Sequence, residues 1–125
     1  MQRESSNSVR IFYPKFDKKE LIQKIKEKME ELAGELPLSL VVLFGSYARG
    51  NYTVASDVDL LVIYRGKERK DAFATVKKTL GIPLLEPHVH SEHEYEGLKR
   101  DIDRMIADGV VLFSRKEAQK TKLTQ

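Results

Sequence analysis

Two short apolar runs, separated by a polar loop, limit the fold of this chain more than any other feature. Residues 40–44 are consecutively apolar and end abruptly at Gly45. The second run lies within residues 57–64, after a polar segment at residues 50–56. Uninterrupted apolar runs of this length are typical of strands buried on both faces. We therefore expect a small sheet with helices packed against it.

The N-terminal part of the chain has the pattern of an amphipathic helix. Asp17 and Glu20 have the spacing of a capping box, which marks a helix start. The helix is expected to stop before Pro37, because proline interrupts helical hydrogen bonding. Its apolar positions, which recur at helical intervals, are Leu21, Ile25, Met29, Leu32 and Leu36.

The second half of the chain repeats these signals. Helical spacing over residues 72–80 ends at Gly81, a residue type favoured at helix C-termini. Ser91 and Glu94 form another capping-box pattern, and the helix they open is predicted to close at Gly109. Further short strands are predicted at residues 9–13, 84–90 and 110–113. The order helix–strand–loop–strand–helix–strand–helix predicts an α/β (α+β) fold, a small mixed sheet flanked by helices.

Composition predicts one compact domain at residues 1–113 and a polar, basic tail at residues 114–125. The tail carries Arg115, Lys116, Lys120 and Lys122 against Glu117, so it accounts for the whole net charge of +3. The domain itself is neutral, and direct binding to nucleic acid is not expected. The chain lacks cysteine and any apolar run of membrane-spanning length. We expect a cytoplasmic protein without a membrane association.

Asp57 and Asp59 are two residues apart at the head of the second strand. Their side chains are expected on one face of the strand, while Val58 points into the apolar layer. Two carboxylates held this close repel each other unless a cation bridges them. Oxygen ligands in a chain without cysteine favour Mg²⁺ or Mn²⁺ over zinc. Such a pair can share two Mg²⁺ ions about 3.5–4 Å apart, a spacing suited to phosphoryl chemistry.

Gly45 and Ser46 end the first strand and form the second candidate element. Glycine lets the backbone turn sharply and approach a phosphate without an intervening Cβ. If Ser46 opens a short helical turn through Arg49, its free N–H groups and hydroxyl face the ligand. Arg49 adds a positive charge for a terminal phosphate. Gly45, Ser46 and Arg49 are therefore candidate triphosphate-binding residues.

Together these residues resemble a known signature. Gly45-Ser46, ten further residues and Asp57-x-Asp59 resemble the GS-x10-D-x-D motif of the DNA polymerase β-like nucleotidyltransferase superfamily. The segment LFGSYARGNYTVASDVDLLV, residues 43–62, is similar to the minimal nucleotidyltransferases, the MNT family. The resemblance implies a polymerase β-like fold, two bound Mg²⁺ ions and ATP as the substrate.

The resemblance also implies a third carboxylate on a neighbouring strand. Glu86 is the candidate, so the implied metal and catalytic set is Asp57, Asp59 and Glu86. Glu86 would also assist deprotonation of an acceptor hydroxyl. Glutamate replaces the aspartate that is frequent in the superfamily, and an ordinary solvated acid is the alternative. Pro87 predicts an edge or irregular strand here.

The three histidines, His88, His90 and His93, lie within six residues. His88 and His90 share a strand face with Glu86, so a zinc site is one interpretation. A supporting role for His88 beside the carboxylates, or simple surface exposure, is favoured instead. Aromatic residues near buried strands are more often in the core than stacked on a base. This applies to Tyr13, Tyr47, Tyr52 and Tyr64.

The resemblance extends to function and partners. MNT proteins are commonly paired with HEPN proteins, small helical RNases that act as toxins. In such pairs the nucleotidyltransferase is the antitoxin and transfers AMP from ATP onto a tyrosine of its partner. The resemblance therefore implies a protein adenylyltransferase with a HEPN-type partner. The chain length leaves no room for a second domain, so another protein or a second copy, as a homodimer, is expected to close the site.

Two other functions remain open. The first is a binding module that silences a partner by stoichiometric contact, with nucleotide as a structural or regulatory ligand. The second is a nucleotidyltransferase acting on a small molecule, such as an antibiotic-modifying enzyme. The second requires an acceptor wall that a homodimer would have to supply.

Overall fold

A computed structural model describes residues 16–115 of the protein. The predicted strand at residues 9–13 and most of the predicted tail lie outside this range. Within it, the elements follow the predicted order of helices and strands. They are α1 (Lys18–Glu27), α2 (Met29–Glu35), β1 (Leu38–Phe44), α3 (Ser46–Arg49), β2 (Val58–Tyr64), α4 (Ala72–Leu80), β3 (Leu85–Ser91), α5 (Glu92–Met105) and β4 (Val110–Ser114).

The first predicted helix is present but interrupted. Asp17 caps α1, and its carboxylate accepts from the Glu20 N–H at 2.8 Å while Glu20 accepts from the Asp17 N–H at 3.0 Å. The expectation of one continuous helix was wrong, because α1 ends at Glu27 and α2 begins at Met29, with Lys28 in a turn between them. The apolar residues stay in phase across the break, so their spacing could not reveal it.

The strands form one mixed sheet in the order β3-β2-β1-β4. β1 is antiparallel to both β2 and β4, and β2 is parallel to β3. The two apolar runs pair directly with each other, and Phe44 lies opposite Asp59. In the parallel pair, Asp59 lies opposite Glu86. Among residues 16–115, β3 is hydrogen-bonded to β2 alone, which agrees with the prediction that Pro87 marks an edge strand.

Both faces of the sheet are covered, which explains the uninterrupted apolar runs. Val58, Leu60 and Val62 belong to a large cluster with residues of α1, α2 and α4. Leu61 and Ile63 belong to a second cluster on the other face, which includes Ile102 of α5. Since side chains alternate along a strand, Asp59 is on the α5 face. No helix within residues 16–115 is long and apolar enough to cross a membrane.

Helix α5 begins as predicted but ends earlier. The Ser91 hydroxyl accepts from the Glu94 N–H at 3.1 Å, and Glu94 accepts from the Ser91 N–H at 2.9 Å. The prediction that Gly109 closes this helix was wrong, because α5 ends at Met105 with Ile106 as its C-cap. Gly109 has a packing role instead. A Cβ placed there would lie 2.6 Å from Val42 Cγ1 and 2.9 Å from the Leu43 carbonyl oxygen.

This close approach predicts that Gly109→Ala destabilises the protein. The added methyl group overpacks β1, and we expect a loss of about 1–3 kcal/mol in the free energy of unfolding. Gly34→Ala is the matched control, because a Cβ at Gly34 in α2 meets nothing within 4 Å. That change should stabilise the helix by about 0.5–1 kcal/mol. Urea unfolding followed by circular dichroism measures both, and equal effects would contradict the packing argument.

Candidate functional site

The turn after β1 adopts the predicted conformation. Gly45 has φ 78° and ψ −154°, a backbone region that residues other than glycine rarely adopt. Ser46–Arg49 then forms the single helical turn α3, which Gly50 terminates in the left-handed conformation. The Gly50 N–H donates to the Ser46 carbonyl oxygen at 2.9 Å. Of the three residues predicted to bind triphosphate, Gly45 and Ser46 are partly buried and Arg49 is exposed.

The turn lies directly against the head of β2. A Cβ added to Gly45 would be 2.4 Å from Asp59 Oδ2, so only a glycine leaves room for this carboxylate. The contact follows from the antiparallel register, which sets Phe44 opposite Asp59. The two halves of the sequence motif are thus adjacent in space.

The two aspartates differ in their surroundings. Asp57 precedes β2 and is exposed to solvent. Val58 points into the core as predicted, with 3% of its surface exposed. Its N–H donates to the Leu84 carbonyl oxygen at 2.8 Å, which ties the head of β2 to the start of β3. Asp59 is more enclosed, since 28% of its side chain is exposed.

His88, rather than Glu86, is the β3 residue that contacts Asp59. Its Nε2 lies 3.4 Å from Asp59 Oδ1. The imidazole also packs against Phe44, with ring centroids 5.0 Å apart at an interplanar angle of 62°. Glu86 lies opposite Asp59 in register, yet its side chain is exposed. The structure thus gives His88 the predicted place beside the carboxylates, and the role of Glu86 stays a prediction.

No preformed metal cluster exists within residues 16–115. In that range no three His, Cys, Asp or Glu side chains are grouped closely enough to hold an ion. The predicted set of Asp57, Asp59 and Glu86 is therefore not assembled as a protein-only site. The alternative zinc site of His88, His90 and His93 is not assembled either.

The site nevertheless fits a cation that a substrate also helps to bind. Across the described residues, His88 is the one basic side chain within 4 Å of the Asp59 carboxylate. That leaves a partly buried carboxylate without a lysine or arginine partner, close to the backbone of Gly45. Mg²⁺ is usually bound by one or two carboxylates together with phosphate oxygens. Asp59 and the exposed Asp57 match that donor chemistry.

The α3 turn is anchored from the N-terminal side of the domain. Tyr47 and Tyr52 stack in parallel, with ring centroids 4.2 Å apart. The Lys18 ammonium donates to the Ala48 carbonyl oxygen at 2.8 Å, and the Lys18 N–H donates to Tyr52 Oη at 3.0 Å. The expectation of core tyrosines holds for Tyr47 and Tyr64, which are buried. Burial is the main cause that raises the pKa of Tyr47, so this phenol stays neutral.

Sequence reasoning missed these anchoring contacts. Lys18 and Ala48 are 30 positions apart, and no motif or periodicity connects them. The same holds for the edge-on contact between Phe44 and His88. Such contacts depend on how the sheet brings distant segments together.

Comparisons with known proteins agree with the sequence motif. The family model for nucleotidyltransferase domains matches residues 22–120. A Methanocaldococcus jannaschii protein described as a candidate protein adenylyltransferase is 46% identical over 48 residues, 37% of this chain and 48% of that protein. The match thus spans about half the length of this curated relative.

Solved structures share the fold. A candidate nucleotidyltransferase from Sulfolobus solfataricus superposes with a TM-score of 0.55 at 28% identity, covering 80% of this chain and 86% of that one. A chain from the Shewanella oneidensis complex of a tri-AMPylated HEPN toxin with an MNT antitoxin has a TM-score of 0.50 at 16% identity, covering 80% and 78%. A toxin–antitoxin complex with AMP-PNP gives a TM-score of 0.51 at 16% identity, covering 77% and 78%.

The family match covers most of the chain, and the solved structures share its arrangement of helices around a mixed sheet. The contact between Gly45 and Asp59 joins the two parts of the motif that first suggested the resemblance. This chain therefore belongs to the nucleotidyltransferase domain family.

Proposed function

We propose that this protein transfers AMP from Mg²⁺-ATP to a hydroxyl group, and that a tyrosine of a HEPN-type toxin is the acceptor. The observation that carries the proposal is the contact of the Gly45 backbone with the Asp59 carboxylate. This contact brings a turn suited to phosphates next to carboxylates suited to a divalent cation. An enzyme that transfers a nucleotidyl group from a nucleoside triphosphate to an acceptor needs both in one place.

Each residue of the motif has a role in this proposal. Gly45 and Ser46 bind the triphosphate through backbone N–H groups and the serine hydroxyl, and Arg49 adds a positive charge. Asp57 and Asp59 hold Mg²⁺, which supplies positive charge to the triphosphate and the acceptor oxygen when bound. Glu86 remains a predicted third carboxylate.

The proposed reaction is a substitution at the α-phosphorus of ATP. The acceptor oxygen forms a bond to that phosphorus, and the bond from phosphorus to the oxygen of the β-phosphate breaks. Pyrophosphate leaves with the electrons of that bond. The hydroxyl proton passes to a carboxylate, for which Glu86 is the predicted group. Holding the two reactants in line supplies much of the rate.

The choice of acceptor rests on two relatives. One is the M. jannaschii protein described as a candidate protein adenylyltransferase. The other is the S. oneidensis complex, in which a HEPN toxin bound to an MNT antitoxin carries three AMP groups. We extend that activity and that class of partner to this chain because the fold is shared.

A labelling experiment tests the proposed transfer. The protein, Mg²⁺, ATP labelled at the α-phosphate and a co-purified HEPN-type partner should give a labelled partner band. Asp57→Asn or Asp59→Asn should reduce labelling by about 100-fold or more, because the charge that binds the cation is lost. Asp101→Asn is the matched control, since Asp101 is an exposed carboxylate on α5. A labelled band that persists in both site variants would contradict the mechanism.

Two further assays, of partner binding and of pyrophosphate release, distinguish the alternatives. If the Asp57→Asn, Asp59→Asn double variant still binds and silences the partner, stoichiometric contact explains the inhibition. If ATP is consumed to pyrophosphate only when a small-molecule acceptor is added, a small-molecule transferase is favoured.

The close approach at Gly45 generates a separate prediction. Gly45→Ala should reduce labelling by at least about tenfold, since the new Cβ displaces the Asp59 carboxylate from its place. Gly50→Ala is the matched control. It also has a positive φ, 83°, but a Cβ there meets nothing within 4 Å. That control should cost about 1–2 kcal/mol in stability with little loss of labelling. Equal losses of labelling would show that backbone strain, and not the carboxylate contact, matters.

A further inference from the structure

Leu84 has a backbone conformation that is unfavourable for a leucine. Its φ is 62°, and it is the one residue other than glycine with a positive φ among residues 16–115. This left-handed region brings Cβ too close to the following carbonyl oxygen, so glycine or asparagine usually occupies it. The strained residue contributes little to the core, since 53% of its surface is exposed. Core packing therefore does not explain why a leucine is present at this position.

A tight turn before β3 produces this conformation. The Leu85 N–H donates to the Ile82 carbonyl oxygen at 3.2 Å, which closes a turn over residues 82–85. Pro83 at the second position, followed by a positive φ at the third, is the pattern of a type II turn. Ile82 and Leu85 are buried at the two ends of the turn and hold it in place. Glycine would suit the third position better than leucine.

This turn lies at the candidate site. The Leu84 carbonyl oxygen accepts from the Val58 N–H at 2.8 Å, and Val58 is the residue between Asp57 and Asp59. Residues in sparsely populated backbone regions cluster at active sites and ligand contacts, where the surrounding structure holds them. A strained and exposed apolar residue beside the two aspartates therefore indicates a contact with a ligand or a partner.

The strand order decides which substrate that contact serves. β1 and β3 lie on opposite sides of β2. Gly45 follows β1 and approaches Asp59 from that side, whereas Leu84 precedes β3. In an in-line substitution the attacking and leaving oxygens lie on opposite sides of the phosphorus. With the triphosphate bound on the β1 side, the acceptor approaches from the β3 side, where Leu84 is exposed.

We propose that Leu84 is a docking residue for the acceptor protein, and that its side chain packs against an apolar side chain next to the acceptor hydroxyl. The inference rests on the proposed function, because it assigns the surface by which the same site recognises its acceptor. Burial of an exposed leucine against a partner is favourable, since it removes apolar surface from water. The buried ends of the turn help, because a side chain on a rigid backbone loses less freedom on binding.

Substitutions that relieve the strain but remove the apolar side chain test this proposal. Leu84→Asn and Leu84→Gly both suit a positive φ, so the melting temperature should stay the same or rise by about 2–5 °C. Both should raise the Kd for the co-purified HEPN-type partner about tenfold, measured by calorimetry on the whole protein without ATP. Leu84→Met keeps an apolar side chain and should bind within about threefold of the wild type.

Val111→Thr is the matched control for the loss of an exposed apolar side chain. Val111 is 51% exposed and lies on β4, at the opposite edge of the sheet among the described residues. Its substitution should leave the Kd for the partner within about twofold. The Kd for AMP-PNP should stay unchanged in the Leu84 variants, because Leu84 and the triphosphate turn lie on opposite sides of β2. In the labelling assay, the KM for the partner should rise while kcat is kept.

The inference is overturned if Leu84→Asn binds the partner as tightly as the wild type, or if Leu84→Met and Leu84→Asn weaken binding equally. A lower melting temperature in both Leu84→Asn and Leu84→Gly would also contradict it, because the conformation would then not be strained. These outcomes are separate from those of the transferase proposal. Weaker binding by Leu84→Asn without any label transfer would support the docking residue and contradict the transferase. Label transfer with an unchanged Kd and KM would do the opposite.

Discussion

The antiparallel pairing of β1 with β2 is the constraint on which the rest of the site depends. It sets the end of one strand, Phe44, opposite the start of the other, at Asp59. The Gly45 backbone then meets the Asp59 carboxylate at a distance that excludes any Cβ. A slip of the register by one residue would turn Asp59 toward the apolar cluster beneath α1, α2 and α4. The burial of both strands on both faces makes such a slip costly. The core of the domain therefore also fixes the geometry of the site.

The two faces of the sheet have different roles in positioning the candidate site. The face covered by α1, α2 and α4 is the larger apolar cluster and holds the sheet in one register. The opposite face is covered by α5 over its middle, with Ile102 against Val42, Phe44 and Leu61. Asp59 and His88 lie on that same face. Their position at the head of β2 and on β3, an edge strand among the described residues, keeps them within reach of solvent, where a large substrate can approach them.

The metal chemistry connects the fold to the proposed activity. The described residues do not form a protein-only metal cluster, so a nucleotide must complete the coordination that we propose. In such a site, binding of the ion and binding of the triphosphate are coupled, since each supplies donors or charge to the other.

The amino-acid sequence by itself determined the element order, the two buried strands, both capping boxes and the Gly45-Ser46 and Asp57-x-Asp59 pair. These features are local, because periodicity, capping and turn residues act within a few positions of the chain. The tertiary structure decided the break at Lys28, the packing role of Gly109 and the contact of His88 with Asp59. The break does not change the helical spacing of the apolar residues, so that spacing could not predict it. The packing of Gly109 and the contact of His88 with Asp59 depend on which segments become neighbours in the sheet. The spacing of residues along the chain does not contain that information.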